Sequence, residues 1–327
     1  MKTKTLLKRL AVGIPAVIVV AGLGLSGYAM LRWDRTFDAP LPDVHASTDS
    51  AVIARGRYLA YGPALCAACH VASDLNPRLD KGEQVPLSGG HVWKFPLGTF
   101  RSPNLTPDPE TGIGRVSDAH LARMIRHMVR RDGRAALPFM AFQNLSDDDL
   151  VAIISFLRSQ PPVRNAVRPH DITFLGKVVA AYLIKPKGPD GTPPAHTPAG
   201  PSVARGEYLV NAASDCIGCH TQRNPIDGSF TGPKLAGGGT FPVEGEPDKV
   251  LVSPNLTPDP KTGRIYAWTE DQFVARFRQG KVLPKTYMPW GAVSRMTDED
   301  LRSVYRYLKS LPPVVNETGP VVQEKKK

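Results

Sequence analysis

All four cysteines of this 327-residue chain lie in two five-residue strings, CAACH at Cys66 to His70 and CIGCH at Cys216 to His220. Two thiols at i and i+3 followed at once by an imidazole is the spacing of a covalent c-type haem site. The thiols add across the two porphyrin vinyl groups, and the histidine is then held under the iron as its proximal ligand. Cys66, Cys69, Cys216 and Cys219 are therefore expected to bind two covalently attached haem c groups, with His70 and His220 on the metal. A zinc clamp would need a second Cys or Cys/His pair at ligand spacing, and a redox dithiol has no use for the adjacent histidine. No cysteine is left for a disulfide, a thiolate ligand or a nucleophile, which excludes several enzyme chemistries at once.

An iron that cycles electrons without binding substrate needs a sixth ligand, and methionine in that place raises the reduction potential. In the C-terminal half the candidate is Met288, in the string YMPWG; its rival Met296 matches Leu145 as a core position at a helix edge. In the N-terminal half two alignments compete. Counting back from the following helix sets Leu137 opposite Met288, which leaves no ligand, whereas counting forward from Gly133 selects Met140; LPFMAF keeps a Met followed by a small residue and Phe142, which favours Met140. Met124 and Met128 read as helix core, and His91, His120 and His127 as lesser alternative ligands.

The elements that must position these groups occur twice. ARGRYL at Ala54 answers ARGEYL at Ala204, SPNLTPDP at Ser102 is repeated at Ser253, and LSDDDL at Leu145 answers MTDEDL at Met296. Self-similarity on this scale marks two copies of one unit. In each copy Ser50 or Ser202 is expected to cap a short helix leading to the haem string. Ser117 and Thr269 open a second helix, the latter with a capping box closed by Gln272. Ser146 with Asp149, and Thr297 with Asp300, open a third whose acidic first turn suits the helix dipole. Leu150, Ile153, Ile154 and Leu157, like Leu301, Val304, Tyr305 and Leu308, repeat at helical spacing and predict core, and Pro161–Pro162 and Pro312–Pro313 end the helices. Between haem string and second helix the Gly- and Pro-rich chain predicts ordered loops with few strands, and Pro233 is the expected source of a carbonyl for the second proximal imidazole. Phe174–Ile184 is too short to span a bilayer and is expected to pack on a domain rather than rest on a membrane surface.

Lys2, Lys4, Lys8 and Arg9 precede a run from Leu10 to Leu31 without a charged residue, long enough to cross the hydrocarbon core. It reads as an uncleaved anchor, with a removed signal sequence as the alternative. The basic flank stays inside, so all that follows Arg32 is exported, which agrees with attachment of c-type haem outside the bacterial cytoplasmic membrane. Of the net +11, the four basic residues of that flank and Lys325 to Lys327 supply seven, leaving +4 for a body whose two haems would bring four propionates. No argument for a nucleic-acid partner survives.

Taken together, the CxxCH strings, the loop GTFRSPNLTPDPETGIG from Gly98, a Met-bearing turn and the Ser/Thr-Asp-Asp/Glu-Asp-Leu helix start resemble the tandem class I-like dihaem cytochromes c, in particular the cytochrome c subunits of membrane-bound alcohol- and gluconate-type periplasmic dehydrogenases. That family commonly carries three haems and a tail anchor, whereas two haem strings and a front anchor stand here. The resemblance implies a mainly α fold around each haem; with the internal repeat and the apolar run from Leu10, the expected architecture is two tandem cytochrome c-like haem domains plus one N-terminal transmembrane helix. The corresponding division is a cytoplasmic basic tail (1–9), an anchor or signal (10–31), a linker (32–49), haem domains at 50–163 and 202–315, a Pro-rich linker (164–201) and a tail (316–327). The expected role is a single-pass, membrane-anchored electron carrier with its haem domains in the periplasm. It would draw on a quinone-linked or periplasmic dehydrogenase and deliver to a soluble cytochrome or oxidase, free or as a fixed subunit of a respiratory complex. A dihaem peroxidase-type enzyme is the alternative; it would leave one iron open beside an acid–base residue. A haem enzyme with a cysteine thiolate on iron is excluded by the cysteine count.

Overall fold

The computed structural model describes the chain except Met1, 138–139, 225–227, 244, 284 and 326–327, and describes the backbone alone for 2–12. The first helix, α1 (Lys2–Arg32), takes in the uncharged run; within it Gly13–Arg32 is long and apolar enough to cross a membrane. The N-terminal half then comprises α2 (Ser50–Tyr61), α3 (Cys66–His70), a 3-10 turn, α4 (Asn76–Asp80), strands β1 (Val92–Phe95) and β2 (Gly98–Arg101), α5 (Asp118–His127) and α6 (Asp147–Ser159). A connecting segment contributes β3 (Asp171–Ile172) and α7 (Phe174–Tyr182). The C-terminal half repeats the order with α8 (Val203–Tyr208), a π turn over Leu209–Ala213, α9 (Cys216–Cys219), β4 (Thr240–Val243), β5 (Glu246–Val252), α10 (Glu270–Arg278), α11 (Trp290–Val293), α12 (Asp298–Ser310) and β6 (Val322–Glu324).

Helix starts follow the local chemistry. Ser117, Ser146, Ser202, Thr269 and Thr297 each accept a backbone N–H in the first turn of the helix they open, and Thr269 with Gln272 forms the reciprocal capping box. Ser50 differs: it is the first residue of α2, and Asp49 is the cap, accepting from the Ala51 N–H at 2.7 Å. Helix α6 ends at Ser159 and α12 at Ser310, before the paired prolines.

Helix α2 packs on α6, and α8 on α12. Glycine makes each crossing close: a Cβ on Gly56 would lie 1.8 Å from the Ala152 carbonyl oxygen, and one on Gly206 1.9 Å from that of Ser303. Leu59, Leu150 and Ile154, and in the other half Leu209, Leu301 and Leu308, are fully buried. The buried apolar residues of both halves form one connected cluster rather than two. The stretches after the haem strings are more regular than their proline content predicts. β1 pairs antiparallel with β2 and β2 with β3; β4 pairs with β5 and β5 with β6, so each half carries a small three-stranded sheet. Most glycines and prolines of these stretches stand at the turns and in the SPNLTPDP segments, which leaves short runs such as Val92–Phe95 free to pair; Pro242 and Pro247 lie within β4 and β5, whose register shifts at Pro242–Val243.

Candidate haem centres

The first string forms helix α3, and the second forms α9 with His220 closing its last turn. Both helices are entered through a left-handed residue, Leu65 (φ 55) and Asp215 (φ 46). For a non-glycine residue this conformation costs about 1 kcal/mol or more, and strain of that kind persists where the surroundings demand a sharp entry. The cysteines are not paired in disulfides. Burial pushes the Cys66 and Cys216 thiols up to about 12 and raises those of Cys69 and Cys219, so all four are held as thiols rather than as thiolate nucleophiles.

Each histidine is oriented by a proline carbonyl. His70 Nδ1 lies 3.0 Å from the Pro103 oxygen, and His220 Nδ1 lies 3.1 Å from that of Pro254. A carbonyl only accepts, so Nδ1 carries the proton and Nε2 is left with its lone pair, the state an iron-ligating imidazole needs. Burial lowers the pKa of both rings, which keeps them neutral. Pro233, the source expected from sequence, is not the acceptor's residue; its carbonyl accepts from the Ala236 N–H at 3.2 Å. The prolines that serve belong to the repeated SPN strings. They are reached because Gly89 N–H donates to the His70 carbonyl and Gly237 N–H to that of His220, both at 2.8 Å, while Gly90 and Gly238 donate to Ser102 and Ser253. At φ +75 and +78, Gly89 and Gly237 lie against the SPN backbone so tightly that a Cβ would come within 2.5 Å of the Pro103 carbonyl carbon or 2.6 Å of the Asn255 nitrogen. The identical repeat was the signal for these residues; which peptide of it folds back was not visible.

The rest of SPNLTPDP locks that segment in place. Asn104 Nδ2 donates to the Val163 carbonyl and its Oδ1 accepts from Thr106 N–H; Asn255 does the same with Val314 and Thr257. Asp108 and Asp259 each accept from the backbone and hydroxyl of a threonine, Thr111 and Thr262.

Met288 is half-buried against the apolar cluster, and its N–H donates to Thr286 Oγ1 at 3.1 Å. Met140 is half-buried in irregular chain between α5 and α6; Pro138 and Phe139 before it lie outside the described residues. Met296 and Leu145 are both buried at matching positions, as core residues should be. An arginine in the last turn of α5 or α10 ties down the chain that follows each methionine. Arg126 donates to the Gln143 and Leu145 carbonyls and to Asp147, and Arg278 to the Ser294 and Met296 carbonyls and to Asp298. Met128 is buried at the end of α5; the His91 ring lies tilted against Trp93 with centroids 4.4 Å apart, and His120 contacts the Ser117 hydroxyl at 2.7 Å.

The two halves meet beside these strings. Helix α11, immediately after Met288, packs on α3 and α4. Arg295 donates to the Leu79 carbonyl, and its guanidinium lies 5.7 Å from the Tyr61 ring. The described residues thus fit the group the strings call for: paired thiols not engaged in disulfides, a neutral imidazole with a free Nε2, and an apolar surround.

Comparison with known proteins agrees. Residues 201–308 match the family model described as cytochrome c oxidase, cbb3-type, subunit III. The cytochrome c subunit of alcohol dehydrogenase (quinone) from Gluconacetobacter polyoxogenes is 32% identical over 290 residues, covering 83% of this chain and 58% of the relative. The gluconate 2-dehydrogenase cytochrome c subunit of Pantoea cypripedii is 30% identical over 324 residues, covering 90% and 64%. A diheme cytochrome c-type protein of Cereibacter sphaeroides is 29% identical over 264 residues, covering 76% and 82%. The chain therefore spans less than two thirds of the first two relatives. A cytochrome c domain implies covalently bound haem c. The chain is a homologue of the cytochrome c subunits of alcohol and gluconate dehydrogenases, and it carries a cytochrome c domain.

Proposed function

We propose that this chain is a membrane-anchored dihaem electron-transfer protein. It takes electrons from a dehydrogenase partner of the kind its relatives belong to and passes them to a downstream cytochrome or oxidase. The observation that carries this reading is the same carbonyl-to-imidazole hydrogen bond at both strings, His70 to Pro103 and His220 to Pro254. Duplicated orientation of the imidazole argues for two centres doing the same work, one in each of two tandem domains at 50–163 and 202–315.

When bound, each haem supplies a one-electron ferric/ferrous couple. The chain's own residues do the rest. Cys66, Cys69, Cys216 and Cys219 would hold the macrocycles by thioether bonds, His70 and His220 would offer Nε2 to the iron, and Met140 and Met288 would supply the further ligands that keep substrate off the metal. The proline carbonyls keep imidazole basicity and orientation fixed, and the apolar cluster excludes water, so little has to move when the charge changes. Packing of α11 on α3 and α4 supports electron passage between the two centres. Helix α1, with its basic residues on the cytoplasmic side, would hold this assembly on the periplasmic face.

Pyridine haemochrome analysis and an optical redox titration test the reading. Two haems per chain, both low-spin and both with the near-infrared sulfur-to-iron band in the ferric state, are expected. One haem per chain overturns it. A first centre that lacks the band and turns high-spin supports the peroxidase-type enzyme instead.

A further inference from the structure

The connecting segment between the halves is held on two sides. At its start β3 adds to β2, Thr173 N–H donates to the Leu97 carbonyl at 3.1 Å, and Thr173 Oγ1 contacts the Pro96 carbonyl at 3.0 Å. A Cβ on Gly176 would lie 2.0 Å from the Leu97 oxygen, so the first turn of α7 sits directly on the hairpin tip. On its other side α7 packs on α1. Tyr182 stacks on Tyr28 with ring centroids 5.2 Å apart, its hydroxyl donates to the Leu25 carbonyl at 2.8 Å, and Lys177 Nζ lies 5.0 Å from the centre of the Trp33 ring.

This packing leaves an apolar surface uncovered at the two ends of α7: Phe174 and Leu175 in its first turn and Leu183 just past its last are 56%, 52% and 53% exposed. Its occupant follows from where α7 touches α1. Leu25 lies seven residues before Arg32, the end of the membrane-length run, and at 1.5 Å per residue that is about 10 Å inside the run. An amphipathic helix on a bilayer buries its apolar face to about 5–10 Å, at the boundary of headgroups and acyl chains. The groups around the contact are those that suit this boundary. Tyr28, Trp33 and Tyr182 have one apolar and one polar end, and Arg32 and Lys177, the latter beside Trp33, complement lipid phosphates.

We propose that α7 is an interfacial helix whose Phe174, Leu175 and Leu183 side chains insert into the outer leaflet of the bilayer that α1 spans, with phospholipid rather than protein as their partner. The inference rests on α1 being a retained anchor and goes beyond it: the N-terminal half is pinned to the membrane surface at two points instead of swinging on a tether. The segment after α1 is docked too, since Phe37 N–H donates to the Gly133 carbonyl at 2.8 Å.

The test uses the full-length, haem-loaded chain in vesicles of phosphatidylethanolamine and phosphatidylglycerol. The four native cysteines are consumed by thioether bonds, so Leu175→Cys, and separately Leu183→Cys, offers a single site for a nitroxide label; Val315→Cys, at a position 72% exposed, is the aqueous reference. Relaxation by oxygen and by a water-soluble nickel chelate is read in the reduced state. A ratio of oxygen to nickel accessibility severalfold above the reference at both positions is expected. A ratio equal to the reference, or shielding from both reagents as under a protein partner, overturns the inference while α1 stays anchored. Anchoring is scored independently by resistance to carbonate extraction, and release there overturns the anchor reading and the inference with it.

Discussion

Tyr208 donates its phenolic hydrogen to Asp149 across 2.8 Å, from the C-terminal half of the chain to the N-terminal half. The counterpart runs the other way: Tyr58 donates to Asp300 at 2.5 Å. Each aspartate already pairs with the arginine of its own half, Asp149 with Arg55 at 2.8 Å and Asp300 with Arg205. Both carboxylates are almost fully buried. The tyrosine of the repeated ARGxYL string thus reaches the acidic helix start of the opposite copy, and the two copies hold each other by a reciprocal exchange.

Removing one hydroxyl tests whether the exchange joins the halves into one cooperative unit. Tyr208→Phe deletes a hydrogen bond to a buried charge and is expected to cost about 1.5–3 kcal/mol, and Tyr58→Phe a similar amount. Denaturant unfolding of the wild type should be a single transition, and each variant should shift its midpoint without changing its slope. Two separate transitions in the wild type would refute cooperative joining. Burial and the facing aspartate hold both phenols above their ordinary range, so this contribution is present below the ordinary phenol pKa and fades only as pH rises beyond it.

Gly237→Ala and Gly89→Ala place a Cβ into backbone at 2.6 and 2.5 Å, in a left-handed conformation alanine avoids. Each is expected to destabilise by at least about 2 kcal/mol from conformation and overlap together. The same shift moves the proline carbonyl off the imidazole, so the α band and reduction potential of one centre should change while those of the other stay put. An unchanged spectrum with lost stability would reduce the glycine to a purely packing role.

Asp215 precedes the second string where Leu65 precedes the first, and burial pushes its carboxyl up to about 6 from 3.8. The folded state therefore holds this proton more tightly than the unfolded state does. Its favourable contribution is complete below pH 3.8 and disappears as pH rises through about 6, leaving a buried carboxylate at neutrality. Asp215→Asn keeps the shape and tolerates the left-handed backbone, so it should stabilise by about 1–3 kcal/mol at pH 7.5 and by little at pH 4. Equal effects at both pH values would rule the charge out as cause.

Met288→Leu should abolish the near-infrared sulfur-to-iron band of one centre, and Met140→Leu that of the other. Each should lower one reduction potential by a part of the ~0.8 V range that axial ligands span. Persistence of both bands in either variant would assign the ligand elsewhere.

Much of this protein was legible in its residues. The haem strings needed no fold, because thiols three apart beside a histidine are already close in covalent geometry. Caps such as Thr269 and Ser146, and stripes such as Leu301, Val304 and Leu308, were equally open, because helix-end donors and helical spacing act within a turn or two. Asp49 displaced Ser50 as a cap only by one residue, where two good caps stood side by side. What could not be read is long-range. His220 is served by Pro254, 34 residues away, rather than by the nearer Pro233, because the choice depends on which peptide the Gly237 turn carries to the ring. Tyr58 finds Asp300 across 242 residues. The addition of β3 to β2 and of β6 to β5, and the seating of α7 on α1, likewise depend on partners distant in the chain. Steric and hydrogen-bond preferences within a few residues are written in residue type. A carbonyl, a ring or a carboxylate from elsewhere meets its partner only after the apolar cluster has closed and set the distances between segments.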